Sequence, residues 1–252
     1  MVDALIGSTG FVGSQLLGMH GFDLAVHRPD VARLRGRDLD LLVCAGLPAA
    51  KWQANADPAA DWDNMTGLAA TLATVSAQRA VLISTIDVYQ PAVGVDESTP
   101  ATFDGQGAYG THRAWFESFF QATFPGALVL RLPGLYGPGL RKNLVFDLLH
   151  ERTDQYAGMN PASRFQFFDT TGLWQVIETA WEHKIGLLNV SSEPVTASAI
   201  AEVFGVTLHG DGPQAAYDMR SRHAAQFGGR DGYLYSRESV LAGIAALRGG
   251  AR

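Results

Sequence analysis

The chain predicts a parallel α/β fold, a doubly wound sheet covered by helices on both faces. Three observations carry this. Short strands alternate with helical segments through the first half of the chain. Those strands are apolar on both faces, as strands buried between two helical layers must be. A glycine-rich turn sits at the first strand–helix junction.

The elements follow in order. "VDALIG" is a short apolar run ending in glycine, and "STGFVGSQLLGMH" after it has helical spacing at Val12, Leu16 and Leu17. "FDLAVH" and "LDLLVCAG" read as the second and third strands, "DWDNMTGLAATLATVSAQ" as a helix, and "RAVLIST" as a strand. "GAYGTHRAWFESFFQATF" places Trp115, Phe116, Phe119 and Phe120 on one helical stripe, and "GALVLRL" returns to strand. Beyond Leu132 the pattern changes. "PGLYGPGLRKN" is loop, "LVFDLLH" a short helix, "RFQFF" a strand, and "TGLWQVIETAWEH" a helix with Trp174, Ile177 and Trp181 in register. "GLLNVSS" is a strand, "TASAIAEVFG" a helix capped by Thr196 and closed by Gly205, and "SRESVLAGIAALRG" a last helix after a looser stretch. With no repeat and no clear linker, residues 1–252 read as a single domain. Residues 1–135 are mainly sheet core and residues 136–252 mainly a C-terminal lobe.

Composition narrows the function. The 252 residues are 47% hydrophobic and 17% charged, enough for a full core, and the net charge is −6. The 19 lysines and arginines form no basic block, which argues against nucleic acid or an anionic membrane as partner and leaves room for a small anion held by a few arginines. Cys44 is the sole cysteine, so no internal disulfide forms; within an apolar strand it reads as a small buried hydrophobe rather than a reactive thiol. The first strand starts almost at the initiator methionine, leaving no space for a signal peptide, and apolar runs of about ten residues are too short to span a bilayer. The expectation is a soluble, cytoplasmic protein. His112, His183 and His209 stand alone, so no metal site is expected.

"GSTGFVG" (Gly7, Ser8, Thr9, Gly10, Phe11, Val12, Gly13) sets three glycines at a spacing of three between strand and helix. Glycine is required where backbone turns sharply, approaches a pyrophosphate, or lets helix and strand touch, and the helix N-terminus then faces the phosphates. Dinucleotide binding follows. The end of the second strand sorts NAD from NADP. An acidic residue there bonds the ribose hydroxyls; an arginine accommodates the 2′-phosphate. Here His27 stands where the carboxylate would be, with Arg28 beside it, and Asp30 comes too late. This favours NADP over NAD with Arg28 on the phosphate; the other reading of Arg28 is a solvated charge.

Taken in order, "GSTGFVG", "LLVCAG", "DNMTG" with Asn64, "LISTIDVY", "YGTHR" and "LRLPGLYGPG" resemble the extended short-chain dehydrogenases/reductases, most of which act on nucleotide sugars. "RFQFFDTTGLW" and "LLNVSSEPVT" look like the family's later segments. The resemblance implies a Rossmann-type sheet with a small C-terminal substrate lobe, and an NAD(P)-dependent oxidoreductase acting on a nucleotide sugar or similar hydroxy/keto compound. An epimerase or dehydratase that recycles its cofactor is the alternative, and a non-catalytic cofactor-binding sensor or assembly protein is another. It also implies cofactor contacts at Ala45 and Gly46, at Tyr109 and Arg113, and at Pro133 and Leu135. A homodimer through the tyrosine-bearing helix would be usual.

The family's catalytic hydroxyl, tyrosine and lysine correspond to Thr85, Tyr109 and Arg113. A phenol with a solution pKa near ~10 needs a positive charge nearby to act as a base at neutrality. A hydroxyl at Thr85 would hold the substrate oxygen while Tyr109 exchanges a proton. Arg113 in the lysine position is a departure: it supplies charge and can bond ribose hydroxyls, but its pKa above ~12 leaves it no proton to relay. Asp87 occupies the place of a dehydratase base; a second carboxylate role is a turn cap before Val88. For a nucleotide diphosphate the substrate candidates are Arg141, Lys142, Asn143, Arg164, Arg220 and Arg222. Trp115 and Trp174 could stack a base, although their helical spacing favours the core.

Overall fold

The computed structural model describes residues 2–103 and 107–250. The chain forms two compact units. One comprises Met1–Gln90, Thr99–Arg131 and Trp174–Leu188, and the other Pro91–Ser98, Leu132–Leu173 and Asn189–Arg252.

Elements are numbered along the chain. The first unit is built on β1 (Asp3–Ile6), α1 (Phe11–Met19), β2 (Leu24–Val26), β3 (Asp38–Cys44), α2 (Lys51–Ala56), α3 (Pro58–Leu72), β4 (Ser76–Thr85), α4 (Ala108–Thr123), β6 (Leu128–Leu132), α7 (Leu173–Glu182) and β10 (Leu187–Asn189). Six strands form the Rossmann-type parallel sheet, in the order β10-β6-β4-β3-β1-β2. The order reverses between β1 and β3. In open parallel sheets ligands lodge beyond the strand C-termini at such a switch point. The sheet is sealed by apolar side chains such as Ile6, Leu42, Leu72, Leu82, Phe116, Phe120 and Val129, which share one core.

Several boundaries differ from the sequence reading. β4 begins at Ser76 rather than at Arg79, because Ser76 and Ala77 continue the ladder opposite Asp38 and Leu39; the preceding helix ends at Leu72 accordingly. The short helix α2 has no apolar periodicity long enough to reveal it. In α1, Leu16 is fully buried while Leu17, one position round the helix, is 40% exposed. In α7 the buried stripe is Leu173, Val176, Ile177 and Ala180. Trp174 lies beside it and stacks on His20, ring centroids 4.1 Å apart. The crossover from β2 to β3 contains a 3-10 turn, Arg28–Leu34, which buries Leu34 in the core.

The second unit contains β5 (Val93–Val95), β7 (Gly134–Tyr136), α5 (Leu144–Leu149), α6 (Thr153–Tyr156), β8 (Arg164–Phe165), β9 (Phe167–Asp169), β11 (Val195–Thr196), α8 (Ala197–Val203), β12 (Asp218–Met219) and α9 (Arg237–Gly250). Its strands pair two by two: β5 with β12, β7 with β9, β8 with β11. The segment read as one strand, "RFQFF", is broken at Gln166, where it changes partner from β11 to β7. The buried Gln166 amide secures the break. Its Nε2 donates to the carbonyls of Ser192 (2.5 Å) and Met219 (2.7 Å), and Oε1 accepts from the Met219 N–H (2.7 Å). The "PGLYGPG" stretch read as loop contains β7. α8 is capped as read, Thr196 Oγ1 accepting from the Ala199 N–H at 3.2 Å. No helix among the described residues is long and apolar enough to cross a membrane.

Candidate active site

The glycine turn joins β1 to α1 and lies against the end of β3. Gly7 has φ +86°, and a Cβ there would overlap the Ala45 carbonyl. A Cβ on Gly13 would overlap the Gly7 carbonyl, so the third glycine lets the first turn of α1 sit on the loop. Gly10 is less constrained, its hypothetical Cβ lying 3.2 Å from Gly7 O. The turn is closed by the Gly7 N–H on Val26 O and the Gly10 N–H on Gly7 O, both 2.9 Å. Gly10 precedes α1 and brings no side chain to cap it, so the helix presents its N-terminal N–H groups and dipole to whatever lies before it. Ser8 is buried in this turn and Thr9 and Gly10 are exposed. Phe11 and Val12 are half-buried at the start of α1.

The neighbouring strand ends complete the rim. The Ala45 N–H donates to Ile6 O at 2.9 Å, tying the end of β3 to β1, and a Cβ on Gly46 would meet Ile6 Cγ2 at 2.7 Å. His27, just after β2, contacts Thr9 Oγ1 through Nδ1 at 3.1 Å. Arg28 opens the following 3-10 turn and is half-buried. Glycine cradle, uncapped helix and strand ends thus surround the switch point, an arrangement that fits a dinucleotide pyrophosphate.

Thr85 ends β4, and its Oγ1 accepts the Asp87 N–H at 3.2 Å, the short-range cap expected of a hydroxyl before a turn. Asp87 Oδ1 forms an ion pair with Lys51 Nζ at 2.6 Å. Tyr109 lies in the first turn of α4, 8% exposed, with its N–H held by Asn55 Oδ1 at 3.0 Å. Burial pushes the Tyr109 phenol up. The Arg113 charge pulls it back in part, Asp87 pushes it up again, and the Thr85 hydrogen bond and the Lys51 charge pull down.

Arg113 is 1% exposed, and its guanidinium is committed within the protein. Nη1 donates to Asp61 Oδ2 at 2.5 Å and to Tyr109 O at 3.3 Å; Nη2 donates to Asp61 Oδ1 at 2.9 Å and to Pro48 O at 2.7 Å. Among the described residues Arg113 Nε is a buried nitrogen with no hydrogen-bond partner. The guanidinium carbon stands 4.0 Å from the centroid of the Tyr109 ring, so the charge lies over the ring face. His112 Nδ1 also meets Asp61 Oδ2, at 2.7 Å. Burial acts to raise the Asp61 carboxyl, but Arg113 and His112 outweigh it and hold it below the ordinary carboxylate range.

Asp61, Lys51 and Asn55 were not singled out by the sequence. Asp61 is three residues before Asn64, the residue marked in "DNMTG"; Asn64 itself is exposed on α3. The one signal for Asp61 was its helical spacing on a face that also buries Met65, Leu68 and Leu72. A second buried cluster was also missed. Arg131 on β6 donates Nε and Nη2 to Glu117 on α4 (3.1 and 2.6 Å) and Nη1 to the Tyr89 hydroxyl (2.6 Å), while Ser84 Oγ donates to Glu117 Oε1 at 2.5 Å.

The remaining candidates belong to the second unit. Pro133 is buried and Leu135 half-buried in β7. Asn143 caps α5: Oδ1 accepts from the Phe146 N–H at 3.1 Å and Nδ2 donates to Leu135 O at 2.7 Å. Arg141, Lys142, Arg164 and Arg222 are exposed, and Arg220 pairs with Asp218 at 3.3 Å. Trp115 stacks on Phe119, centroids 5.9 Å apart, and Trp174 on His20. Among the described residues no group of three or more His, Cys, Asp or Glu side chains could hold a metal ion.

No protein-family model matches the chain, and no curated protein matches it significantly in sequence. Solved structures do match over its full length. A dTDP-4-dehydrorhamnose reductase from Clostridium acetobutylicum is 17% identical with a TM-score of 0.74, covering 98% of this chain and 100% of its own. RMD from Pseudomonas aeruginosa, complexed with NADPH, is 17% identical with a TM-score of 0.71, covering 100% of both chains. A UDP-glucuronic acid 4-epimerase from Bacillus cereus, in complex with NAD, is 14% identical with a TM-score of 0.72, covering 100% of this chain and 96% of its own. At such identities the likeness is one of fold: the chain is built on the Rossmann-type architecture that these reductases and epimerases share.

Proposed function

We propose that the protein is an NAD(P)-dependent oxidoreductase of the extended short-chain type that acts on a nucleotide sugar or a similar hydroxy/keto compound. The observation that carries this reading is the grouping of Thr85, Asp87 and Tyr109 in the unit whose switch point is rimmed by the glycine turn. The fold shared with sugar-nucleotide reductases and epimerases supports it.

Gly7 to Gly13 and the start of α1 would hold the pyrophosphate, with Ala45 and Gly46 lining the adjoining strand end. Arg28, beside His27, would meet a 2′-phosphate and favour NADP over NAD. A bound nicotinamide supplies the hydride donor or acceptor. Thr85 orients the reacting oxygen by its hydroxyl, and Tyr109 gives or takes the proton at that oxygen. Arg113 places its charge against the Tyr109 ring rather than passing protons. Asp87 is the candidate second base; if it removes a proton beside a carbonyl, the reaction becomes epimerisation or dehydration with the cofactor recycled. Asn143, Arg141, Arg164 and Arg220 are the candidates for holding the nucleotide diphosphate.

Calorimetric titration with NADPH and NADH tests the binding half of the reading. Tight binding of NADPH, weakened selectively by Arg28→Ala, is expected; binding of neither dinucleotide overturns it. For the chemical half, a panel of nucleotide 4-keto sugars is offered with NADPH. Tyr109→Phe should abolish turnover while leaving dinucleotide affinity intact, and unchanged turnover removes Tyr109 from the reaction.

A further inference from the structure

Two helices of the sheet unit begin on the same backbone. Gly10 before α1 has φ −69° and ψ 164°, Gly107 before α4 has φ −67° and ψ 166°, and neither glycine caps its helix. At α1 this suits a phosphate. At α4 a side chain from another helix takes the place of the cap: Asn55 Oδ1, on α2, accepts the N–H of Tyr109, the second helical residue, at 3.0 Å. An N-cap side chain ordinarily accepts from that position or the next, so α2 lends α4 the cap its own sequence lacks. Gly107 makes the room. A Cβ there would lie 2.5 Å from Asn55 Oδ1 and 2.8 Å from its Cγ, so a larger residue would displace the amide.

Tyr109 is held at two other points. Its carbonyl accepts from Arg113 Nη1 at 3.3 Å, and the Arg113 guanidinium carbon stands 4.0 Å from its ring centroid. Arg113 Nη2 in turn donates to Pro48 O at 2.7 Å. Pro48 and Asn55 both belong to the crossover that leaves β3 at Ala45 and Gly46. That one segment therefore fixes the Tyr109 N–H directly, and the carbonyl and ring through Arg113.

We propose that Asn55 is a positioning residue for Tyr109, a borrowed N-cap that sets where the first turn of α4, and with it the phenol, stands; this role rests on the reading of Tyr109 as the acid/base. The end turns of a helix open most readily when their N–H groups lack partners, and Tyr109 lies in that turn. Opening it leaves the rest of the 16-residue helix in place, because Phe116 and Phe120 anchor α4 in the core. The cost falls on placement, where a displacement of about 1 Å can slow a reaction roughly 100-fold.

The test reads the tyrosine both with and without substrate. The chain is produced with 3-fluorotyrosine and its seven tyrosines are followed by fluorine NMR, Tyr109 being assigned by its loss in Tyr109→Phe. Asn55→Ala should shift and broaden the Tyr109 resonance, and speed hydrogen exchange of the Tyr109 N–H about fivefold or more, as loss of a cap does. Asn55→Asp keeps the acceptor and should leave both near the wild type. Gly107→Ala keeps Asn55 but takes its space, and should reproduce Asn55→Ala. With NADPH and the nucleotide 4-keto sugars, Asn55→Ala should lower kcat about tenfold or more while NADPH affinity is unchanged. A wild-type Tyr109 resonance in Asn55→Ala overturns the proposal, as does an Asn55→Asp protein that moves as far as Asn55→Ala. Wild-type kcat in Asn55→Ala beside an inactive Tyr109→Phe overturns it too, and leaves the functional reading standing. Should Asn55→Ala fail to fold, Gly107→Ala decides by the same signals. A protein that binds no dinucleotide removes the functional reading instead, and the fluorine and exchange signals still decide whether Asn55 places Tyr109.

Discussion

Arg113 and Asp61 form a two-point ion pair sealed inside the sheet unit, with side chains 1% and 4% exposed and contacts of 2.5 and 2.9 Å. A pair of this kind is a weak source of net stability, because both charges were taken out of water to make it. Breaking it is another matter. Asp61→Asn leaves the Arg113 charge without its counter-ion, next to an Nε that already lacks a partner. The expected loss is about 3–5 kcal/mol, read from urea unfolding. Replacing both partners, as Asp61→Leu with Arg113→Met, should recover most of it.

The same pair sets an acid dependence. Asp61 has its folded pKa held below the unfolded value, so its contribution is fully present above about pH 4, where the unfolded carboxyl is also ionised. It is lost as pH falls from there through the folded pKa. Stability of the wild type measured between pH 5 and pH 2, roughly the window of carboxyl titration, should therefore fall more steeply than that of Asp61→Asn. Parallel curves would mean that Asp61 is not held below its ordinary range.

The buried group one turn further along α4 makes a matching prediction. Arg131 serves Glu117 and Tyr89 at once, and Glu117 also takes the Ser84 hydroxyl. Arg131→Met strands a carboxylate and should cost about 3–5 kcal/mol. Ser84→Ala removes one hydrogen bond to a charge and should cost about 1.5–3 kcal/mol. Urea unfolding of the two variants gives the order; a costlier Ser84→Ala would show that the ion pair is not the centre of the cluster.

Strand–helix alternation, the glycine turn and the Tyr109 helix were legible because each rests on local pattern: apolar runs, a glycine where Cβ has no space, a stripe at helical period. The partners of Asp87, Arg113 and Tyr109 were not, since Lys51, Asp61 and Asn55 come from other helices and only folding brings each to its partner. A lysine at an exposed helix start and an aspartate in "DWDN" carry no pattern that marks a partner 36 or 52 residues away. The break in "RFQFF" was hidden for the same reason: Gln166 looks like one polar residue in a strand until Ser192 and Met219 supply what its amide binds. The two tryptophans of α7 were misplaced by one helical position, where size and hydrophobicity outweighed the i, i+3, i+4 register of Leu173, Val176 and Ile177.

Cys44 ends β3 with no exposure, and burial pushes its thiol up to about 12. The native protein should therefore leave a disulfide reagent such as dithionitrobenzoate unreacted at neutral pH, since the thiolate is the nucleophile. On unfolding one equivalent should react, matching the single cysteine. Rapid reaction of the folded chain would place β3 nearer the surface than the structure does.

The glycines of α1 and its entry turn separate packing from propensity. Gly13→Ala sets a methyl group into the Gly7 carbonyl, and Gly7→Ala adds a collision with Ala45 to a backbone at φ +86°. Both should destabilise the turn, and dinucleotide affinity should fall with it. At Gly10 the nearest atom to a new Cβ is 3.2 Å away, so Gly10→Ala should fold, and a loss confined to binding would locate the phosphate beside it. Gly18 lies exposed within α1 with open space around it. Gly18→Ala should stabilise the protein by about 0.5–1 kcal/mol through helix propensity alone, with affinity for NADPH unchanged. Thermal melting and calorimetric titration of the four variants give the ranking, and equal effects at Gly10 and Gly13 would contradict the close contact of α1 with the loop.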